Sequence, residues 1–241
     1  MAGGGLILWD FDGTLARREG LWSGCMLEVL DEREPGHGLT RELIRAQMRG
    51  RYPWNSPEQP HEHLCDPEAW WEAMEGHMAA ALAGAGVARE RTAALARAAR
   101  ERFLDASVGW RLYEDALPAL SAARAEGWRS AILSNHVPEL ARLAGELGLE
   151  GRFEAVFSSA VVGYEKPHPE FFRRALRELG QPELVWMVGD NPRADVAGAQ
   201  AAGIPAVLVR GVQGARWTAP GLLEALAIIR YETADAAEVP A

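Results

Sequence analysis

Apolar and polar residues follow two different periods along this chain. Four consecutive apolar residues, 6–9, run directly into acidic residues, which predicts a strand buried on both faces with its carboxyl end opening into a turn. Residues 15–108 then follow the period of helices. From residue 109 onward, short apolar runs alternate with amphipathic segments. The pattern predicts one strand, then a helical insert, and then an alternating α/β region.

The alternating region predicts a mostly parallel sheet with helices on both faces, as repeated strand–helix units produce. We class this fold as Rossmann-like and doubly wound. Asp115 is a candidate cap for its first helix, which ends at Gly127, and residues 230–241 are expected to fray. The strands that follow are predicted at 128–133, 155–157, 184–188 and 206–209, and the helices between them at 138–147, 169–179 and 194–202.

The helical region predicts an all-α insert of about four helices. Thr40 is a candidate N-cap for the second helix, and Asp66 is one for the third, in which proline takes the first helical position. Residues 51–66 contain three prolines and no sustained period, so they predict a loop. The predicted division is a core at 1–14 and 109–241 and an insert at 15–108.

The composition restricts the kinds of partner and compartment. The formal net charge of −9 over 241 residues gives a sequence pI near 5.3, so nucleic acid is not an expected partner. The sequence contains no segment of transmembrane length and no signal peptide, which predicts a cytoplasmic protein without a membrane partner. Cys25 and Cys65 are expected to be free thiols.

The candidate chemistry begins where the first strand ends. Asp10 and Asp12 lie at that strand's carboxyl end, and ligands bind at this edge of open α/β sheets. Gly13 permits a backbone turn that brings the second acid towards the first. The competing interpretation is an acidic strand end that is simply solvated, and these two residues alone do not decide between the two.

Four short motifs, in order, resemble those of the haloacid dehalogenase-like hydrolases. The resemblance spans residues 6 to about 210, and it implies a hydrolase whose helical insert is a C1-type cap. No single motif is specific, but four in the right order are hard to obtain by chance. The motifs are Asp10-Phe11-Asp12-Gly13-Thr14-Leu15, then Ser134-Asn135, then Lys166 in Glu165-Lys166-Pro167, and then Gly189-Asp190-Asn191-Pro192-Arg193-Ala194-Asp195.

The acids predict a magnesium site if the strand ends meet at one edge. Asp10, Asp12 and Asp190, with Asp195 near, would then crowd one small volume, and like charges so close require a compensating cation. A site rich in oxygen ligands favours a hard divalent ion, and Mg²⁺ suits one completed by water and phosphate. The resemblance implies that the Asp10 side chain, the Asp12 backbone carbonyl and Asp190 hold the metal, with Asp195 an outer or water-mediated ligand. The competing interpretation of Asp195 is an ordinary acid in the first turn of a helix, where it interacts with the helix dipole.

The resemblance also implies catalytic roles. Asp10 would be the nucleophile, because an aspartate is anionic at neutral pH and needs no base before it attacks phosphorus. Asp12 would protonate the leaving alcohol and later take a proton from water. Thr14, Ser134 and Lys166 would bind the phosphoryl oxygens. Asn135 is a weaker candidate for phosphate binding, since Ser134 and Asn135 are also suited to capping the next helix.

Other polar and aromatic residues have simpler interpretations. Residues 61–65 contain two histidines and Cys65, but without a second ligand pair a solvated loop is favoured over a zinc site. The Trp70-Trp71 pair is expected in the core of the insert. Substrate specificity is expected within residues 15–108, where the following are guesses without a motif: Arg17, Arg18, Tyr52, Trp54 and His61.

These observations predict a Mg²⁺-dependent phosphatase that acts on a small phosphorylated metabolite through an aspartyl-phosphate intermediate. A phosphomutase of the β-phosphoglucomutase type is the nearest alternative, because it keeps both acids and a similar cap. Dehalogenases that resemble this core lack an acid at the position of Asp12, which argues against carbon–halogen cleavage. A non-catalytic phosphate-binding relative is disfavoured by the intact motif residues.

Overall fold

The structure is a computed structural model that describes residues 5–50, 55–211 and 215–238, with side chains as far as residue 234. Among these residues, no helix is both long and apolar enough to cross a membrane. Two residues suggested as substrate contacts, Tyr52 and Trp54, lie outside the described residues.

A six-stranded parallel sheet organises the fold. Its strand order is β5-β4-β1-β6-β7-β8, and β2 and β3 form a separate antiparallel ribbon. In chain order, β4 and β5 are added on one side of β1, and β6, β7 and β8 are then added on the other side. This order confirms the doubly wound prediction. The strands are β1 (Leu6–Trp9), β2 (Ala16–Arg18), β3 (Trp110–Leu112), β4 (Arg129–Ser134), β5 (Ala155–Ser158), β6 (Val185–Gly189), β7 (Ala206–Val209) and β8 (Trp217–Ala219).

Helices cover the sheet and fill the insert between β2 and β3. Wider helical turns lie at Gly145–Leu149 and Pro192–Ala197, and a 3-10 turn lies at Glu62–Leu64. The α-helices are α1 (Leu21–Arg33), α2 (Arg41–Met48), α3 (Pro67–Gly84), α4 (Arg89–Leu104), α5 (Ala116–Ala125), α6 (Leu140–Ala144), α7 (Ser159–Val162), α8 (Pro169–Glu178), α9 (Gly198–Ala201) and α10 (Leu222–Glu238).

The central strand β1 is apolar throughout because both of its faces are covered. Leu6 and Leu8 pack in the cluster that contains α8 and α9, while Ile7 and Trp9 pack in the cluster that contains α5 and α10. The Trp9 indole Nε1 donates to Ser130 Oγ at 3.1 Å, which satisfies its buried polar atom. Each fully buried aliphatic side chain contributes about 1.5–3 kcal/mol to the free energy of unfolding. This burial fixes the strand whose end carries Asp10.

The four helices of the insert surround an aromatic core. The rings of Trp22 and Phe103 stack with centroids 3.9 Å apart, and Trp70 and Trp71 meet edge to face at 4.8 Å. Both Trp70 and Trp71 are buried, as expected for core residues. The predicted N-caps Thr40 and Asp66 accept hydrogen bonds from amides in the first turns of α2 and α3, respectively.

Three short strands are not predicted from the sequence. The strands β2, β3 and β8 have three residues each, too few to show a period of two. The insert region is therefore not entirely helical, and β7 is not the last strand. Residues 230–238, which were expected to fray, form the end of helix α10. Residues 239–241 lie outside the described residues.

Asp115 does not cap α5 with its side chain. Its carboxylate instead accepts hydrogen bonds from Arg210 Nη2 at 2.6 Å and from the backbone amide of Leu222 at 2.8 Å. Arg210 also donates to the carbonyl of Thr14. Asp115 thus pairs with residues remote in sequence rather than with its own helix. Through Arg210 it links the start of α10 to the loop that follows Asp10.

Candidate active site

The carboxyl ends of β4, β1 and β6 bring three polar side chains together. Trp9 is in register with Ile132 on one side and with Val188 on the other. Neighbouring strands lie about 4.8 Å apart, so Asp10 emerges between Ser134 and Asp190. A cavity of about 430 Å³ opens at this edge. Core residues that line it include Asp10, Asp12, Ser134, Asn135, His136, Lys166, Asp190 and Asp195, and insert residues include Leu21, Trp22, Arg45 and Phe103.

The Asp10 carboxylate is buried and hydrogen-bonded on both oxygens. Its Oδ1 accepts from Ser134 Oγ at 2.8 Å and from Lys166 Nζ at 2.7 Å. Its Oδ2 accepts from Thr14 Oγ1 at the longer distance of 3.5 Å. The structure therefore gathers three predicted residues around the carboxylate of the fourth, Asp10.

Lys166 is a fully satisfied buried ammonium. Its Nζ donates to Asp10 Oδ1, to the carbonyl of Leu133 at 2.8 Å and to Asp195 Oδ1 at 2.5 Å, which uses its three donors. Burial opposes its charge, but the carboxylates of Asp10 and Asp195 outweigh this and raise its pKa. Lys166 is therefore protonated throughout the neutral range.

Asn135 holds the backbone of the loop that carries Lys166. Its Nδ2 donates to the Lys166 carbonyl at 2.9 Å, and its Oδ1 accepts from the Lys166 amide at 2.7 Å. The next helix, α6, begins at Leu140 with Glu139 at its N-cap position, so neither Ser134 nor Asn135 caps it. The Asn135 amide fixes Lys166 at the end of β4.

Three carboxylates converge closely enough to share a cation. One oxygen from each of Asp10, Asp190 and Asp195 lies within 4.8 Å of the other two. Burial and the charges of Asp10 and Asp195 raise the pKa of Asp190 to about 7. Burial is also the main reason that the pKa of Asp195 rises to about 6, although Lys166 opposes the rise. Three carboxylates and the single ammonium of Lys166 thus lie together at this edge of the sheet.

Asp195 makes more hydrogen bonds within the protein than expected of an outer metal ligand. It is almost fully buried, and its Oδ2 accepts from the Asn191 amide at 2.9 Å while its Oδ1 accepts from Lys166. The Asp195 carboxylate therefore holds the backbone of the first turn after β6. Asn191 caps the same turn, because its Oδ1 accepts from the amides of Arg193 and Ala194 at 3.0 Å.

The Asp12 side chain lies apart from the group of three carboxylates. It lines the cavity, and burial raises its pKa to about 8, reinforced by the charges of Asp10 and Asp190. At neutral pH this carboxyl group therefore carries a proton. Such a group is suited to donate a proton rather than to bind a cation through its side chain.

Three of the guessed specificity residues are described by the structure, and they do not line the cavity. Arg17 is exposed, Arg18 is buried in an ion pair with Glu28 at 2.7 Å, and His61 starts the 3-10 turn. Residues 61–65 contribute to no group of three potential metal ligands within the described parts of the chain. The zinc interpretation therefore gains no support.

The cavity also contains residues that the sequence analysis did not select. His136 directly follows the Ser134-Asn135 motif, so its position alone could have indicated it. Arg45 is one of many arginines in the insert, and no sequence signal distinguishes it. Trp22 and Phe103 were recognisable as core residues but not as a cavity wall.

Two glycines leave the space that the acidic cluster occupies. Gly13 has φ +87°, and a Cβ there would overlap the Asp190 carboxylate. A Cβ on Gly189 would overlap the Asp195 carboxylate. The positive φ is a reason for glycine at position 13 only. The close approach of an acidic side chain is a reason for glycine at both positions.

Gly189→Ala is expected to displace Asp195 and with it Lys166. Hydrolytic activity should fall at least about tenfold, and the free energy of unfolding should fall by about 1–3 kcal/mol, as for an overpacked core. Denaturant unfolding and steady-state kinetics would measure both quantities. Gly145→Ala is the control, because its backbone is helical and no atom lies within 4 Å of the added Cβ. Equal behaviour of the two variants would contradict the steric account.

Comparisons with known proteins agree with this geometry. Residues 5–203 match the family model for haloacid dehalogenase-like hydrolases. The chain is 36% identical to a phosphoserine phosphatase of Thermus thermophilus over 228 residues, covering 86% of this chain and 90% of that protein. It is 30% identical to the human haloacid dehalogenase-like hydrolase domain-containing protein 3 over 219 residues, covering 86% and 82%.

A solved structure shares the whole fold. The putative HAD-hydrolase YfnB of Bacillus subtilis, determined with bound magnesium, superposes with a TM-score of 0.71 at 20% identity, covering 94% of this chain and 99% of that one. The family match spans most of the sequence, and the four motifs meet in one cavity. The chain is therefore an enzyme that belongs to the haloacid dehalogenase-like hydrolases.

Proposed function

We propose that this protein is a magnesium-dependent phosphatase that hydrolyses a small phosphorylated metabolite through an aspartyl-phosphate intermediate. The observation that carries the proposal is the environment of Asp10, a buried carboxylate hydrogen-bonded by Lys166 and Ser134 and grouped with Asp190. The similarity to a phosphoserine phosphatase supports a phosphate monoester as the substrate class.

In the first step, an oxygen of Asp10 attacks phosphorus and the bond between phosphorus and the alcohol oxygen breaks. Asp12 gives its proton to that oxygen, and the alcohol leaves. Water then attacks the phosphorus of the aspartyl phosphate, and Asp12 takes a proton from that water. Inorganic phosphate leaves and the Asp10 carboxylate is restored. The raised pKa of Asp12, about 8, supports its part, because the group must be protonated when substrate arrives.

Lys166, Ser134 and Thr14 are placed to stabilise the transferring phosphoryl group. All three contact the Asp10 carboxylate, so they lie within reach of the oxygens of a phosphoryl group bound to it. A fixed ammonium and two hydroxyl donors offset the charge that spreads over these oxygens in a loose transition state. Asn135 acts indirectly, because it holds the backbone of Lys166.

The donor set fits a magnesium ion held by Asp10, by Asp190 and by the backbone carbonyl of Asp12. The group offers only oxygen ligands, and its three carboxylates share a single ammonium, that of Lys166. When bound, magnesium would offset charge on the phosphoryl oxygens. Asp195 already accepts from Lys166 and from the Asn191 amide, so we assign it chiefly to positioning Lys166.

The nucleophile assignment predicts the behaviour of Asp10→Asn. With a panel of phosphorylated metabolites and p-nitrophenyl phosphate, the wild type should release inorganic phosphate, and Asp10→Asn should lose at least about a thousandfold in rate. Asp31→Asn, at an exposed aspartate of α1, is the matched control and should retain full activity.

Two results of this assay would count against the proposal. Equal phosphate release by the wild type and Asp10→Asn would remove Asp10 as nucleophile. Conversion of one sugar phosphate into its isomer with little free phosphate would instead indicate a phosphomutase.

The proton-donor assignment predicts a dependence on the leaving group. Asp12→Asn should lose about 10²- to 10⁴-fold in kcat/KM with an alkyl phosphate, whose alkoxide requires a proton as it departs. The loss should be much smaller with p-nitrophenyl phosphate, whose phenolate leaves without one. Steady-state kinetics with both esters would measure the ratio. An equal loss with both esters would show that Asp12 does not protonate the leaving group.

A further inference from the structure

Arg210 has an unusual backbone conformation beside the loop that carries the nucleophile. It directly follows β7, and its φ of +58° lies in the left-handed region, which glycine adopts freely and arginine rarely does. Its amide donates to the carbonyl of Ala219 at 3.1 Å, at the ends of the paired strands β7 and β8. Strained backbone persists where the surrounding contacts hold it, often at functional sites. An arginine in this conformation indicates that its side chain supplies contacts that glycine could not.

The Arg210 guanidinium binds the backbone of the loop after Asp10. Its Nε and Nη2 donate to the carbonyl of Thr14 at 3.2 and 3.0 Å. The Thr14 hydroxyl is at the same time 3.5 Å from Asp10 Oδ2. Arg210 is not among the residues that line the cavity. It therefore holds, from behind the site, the backbone of a residue whose hydroxyl reaches the nucleophile.

Other contacts fix the guanidinium itself. Its Nη2 donates to Asp115 Oδ1 at 2.6 Å, and its Cζ lies over the Tyr113 ring, 3.6 Å from the centroid. Asp115 Oδ2 accepts in turn from the amide of Leu222 at 2.8 Å. Burial opposes the charge of Asp115, but the hydrogen bonds from Arg210 and Leu222 outweigh burial and lower its pKa. The Arg210 side chain is thus a rigid support between an ionised carboxylate and an aromatic ring.

Arg210 contacts both connections between the sheet and the insert. Thr14 comes shortly before β2, which leads into the insert, and Tyr113 directly follows β3, which leads out of it. The two strands pair with each other, and the Tyr113 amide donates to the Leu15 carbonyl at 3.0 Å. The backbone of Thr14 is therefore held at the point where both connections meet the core.

We propose that Arg210 is a positioning residue for phosphoryl transfer, because it holds the Thr14 backbone so that the Thr14 hydroxyl stays within reach of the phosphoryl oxygens on Asp10. This inference rests on the proposed function, since it acts through a hydroxyl assigned to that reaction. A donor fixed in advance stabilises the charge that develops in the transition state without reorganisation. Displacing such a group by about 1 Å can cost about a hundredfold in rate. The effect is therefore expected in kcat rather than in KM.

A double-mutant cycle between Arg210 and Thr14 tests this role. With p-nitrophenyl phosphate, Arg210→Ala should lower kcat at least about tenfold and change KM less than about threefold. Thr14→Val removes the hydroxyl and keeps the shape of the side chain. In that background, Arg210→Ala should lower kcat less than about threefold, because the group it positions is already absent. Equal losses of kcat in the two backgrounds would overturn the proposal.

Two more substitutions of Arg210 separate positioning from a loss of stability. Arg210→Gly should be at least as stable as Arg210→Ala in denaturant unfolding, because glycine adopts a positive φ freely, yet it should have the same low kcat. Arg210→Lys keeps one charged donor and should recover part of the lost kcat. Recovery of wild-type kcat in Arg210→Gly would show that the residue is structural only.

Arg129 provides a matched control. Its Nε and Nη2 donate to the carboxylate of Glu154 at 2.7 Å, and Nη2 also donates to the carbonyl of Leu179 at 2.8 Å, so it too binds one carboxylate and one carbonyl. It begins β4, which is parallel to β1, and so lies at the end of the sheet opposite to Asp10. Arg129→Ala should keep the wild-type kcat. A loss equal to that of Arg210→Ala would contradict a specific role for Arg210.

Failure of this role is distinguishable from failure of the phosphatase proposal. If the wild type releases phosphate from neither p-nitrophenyl phosphate nor any metabolite of the panel, the proposed function fails and the role of Arg210 fails with it. If the wild type is active and Arg210→Ala keeps its kcat, the role of Arg210 is wrong while the phosphatase function stands.

Discussion

The contact between Lys166 and the carboxylates of Asp10 and Asp195 is the interaction on which the site depends. One buried ammonium faces an acidic cluster that also contains Asp190. Burial and the neighbouring carboxylates raise the pKa of Asp190, and burial raises the pKa of Asp195 against the opposing charge of Lys166. Much of the surrounding structure serves this arrangement. Asn135 fixes the backbone of Lys166, the amide after Asp190 holds Asp195, and two glycines leave room for the acidic side chains.

The position of β1 makes this concentration of charge possible. Because β1 lies between β4 and β6, Asp10 has polar neighbours on both sides, and the apolar residues of β1 are covered on both faces. The insert provides the rest of the cavity wall and is linked to the core by Trp71, whose indole donates to the carboxylate of Glu139. Trp22 and Phe103 belong to the insert's aromatic core and also line the cavity, so the packing of the insert and the shape of the site are not independent.

The sequence was sufficient to predict the core fold and the residues that meet Asp10, for a definite physical reason. Parallel strands end at one edge, so Asp10, Ser134 and Asp190 had to approach one another if their strands were neighbours. The sequence was insufficient where a partner is remote or an element is short. Asp115 binds Arg210 and α10 rather than its own helix, and β2, β3 and β8 are too short to show a period. Arg45 is distinguished from the other arginines of the insert only by its place on the cavity wall.

The central claim is that the aspartates form a binding site for a divalent cation beside Asp10. Calorimetric titration of the metal-free protein with Mg²⁺ tests it most directly. The account predicts one binding site per chain in the wild type, and loss of most of that affinity in Asp190→Asn, while Asp31→Asn binds as the wild type does. Equal Mg²⁺ affinity in the wild type and Asp190→Asn, or no binding to the wild type, would contradict it.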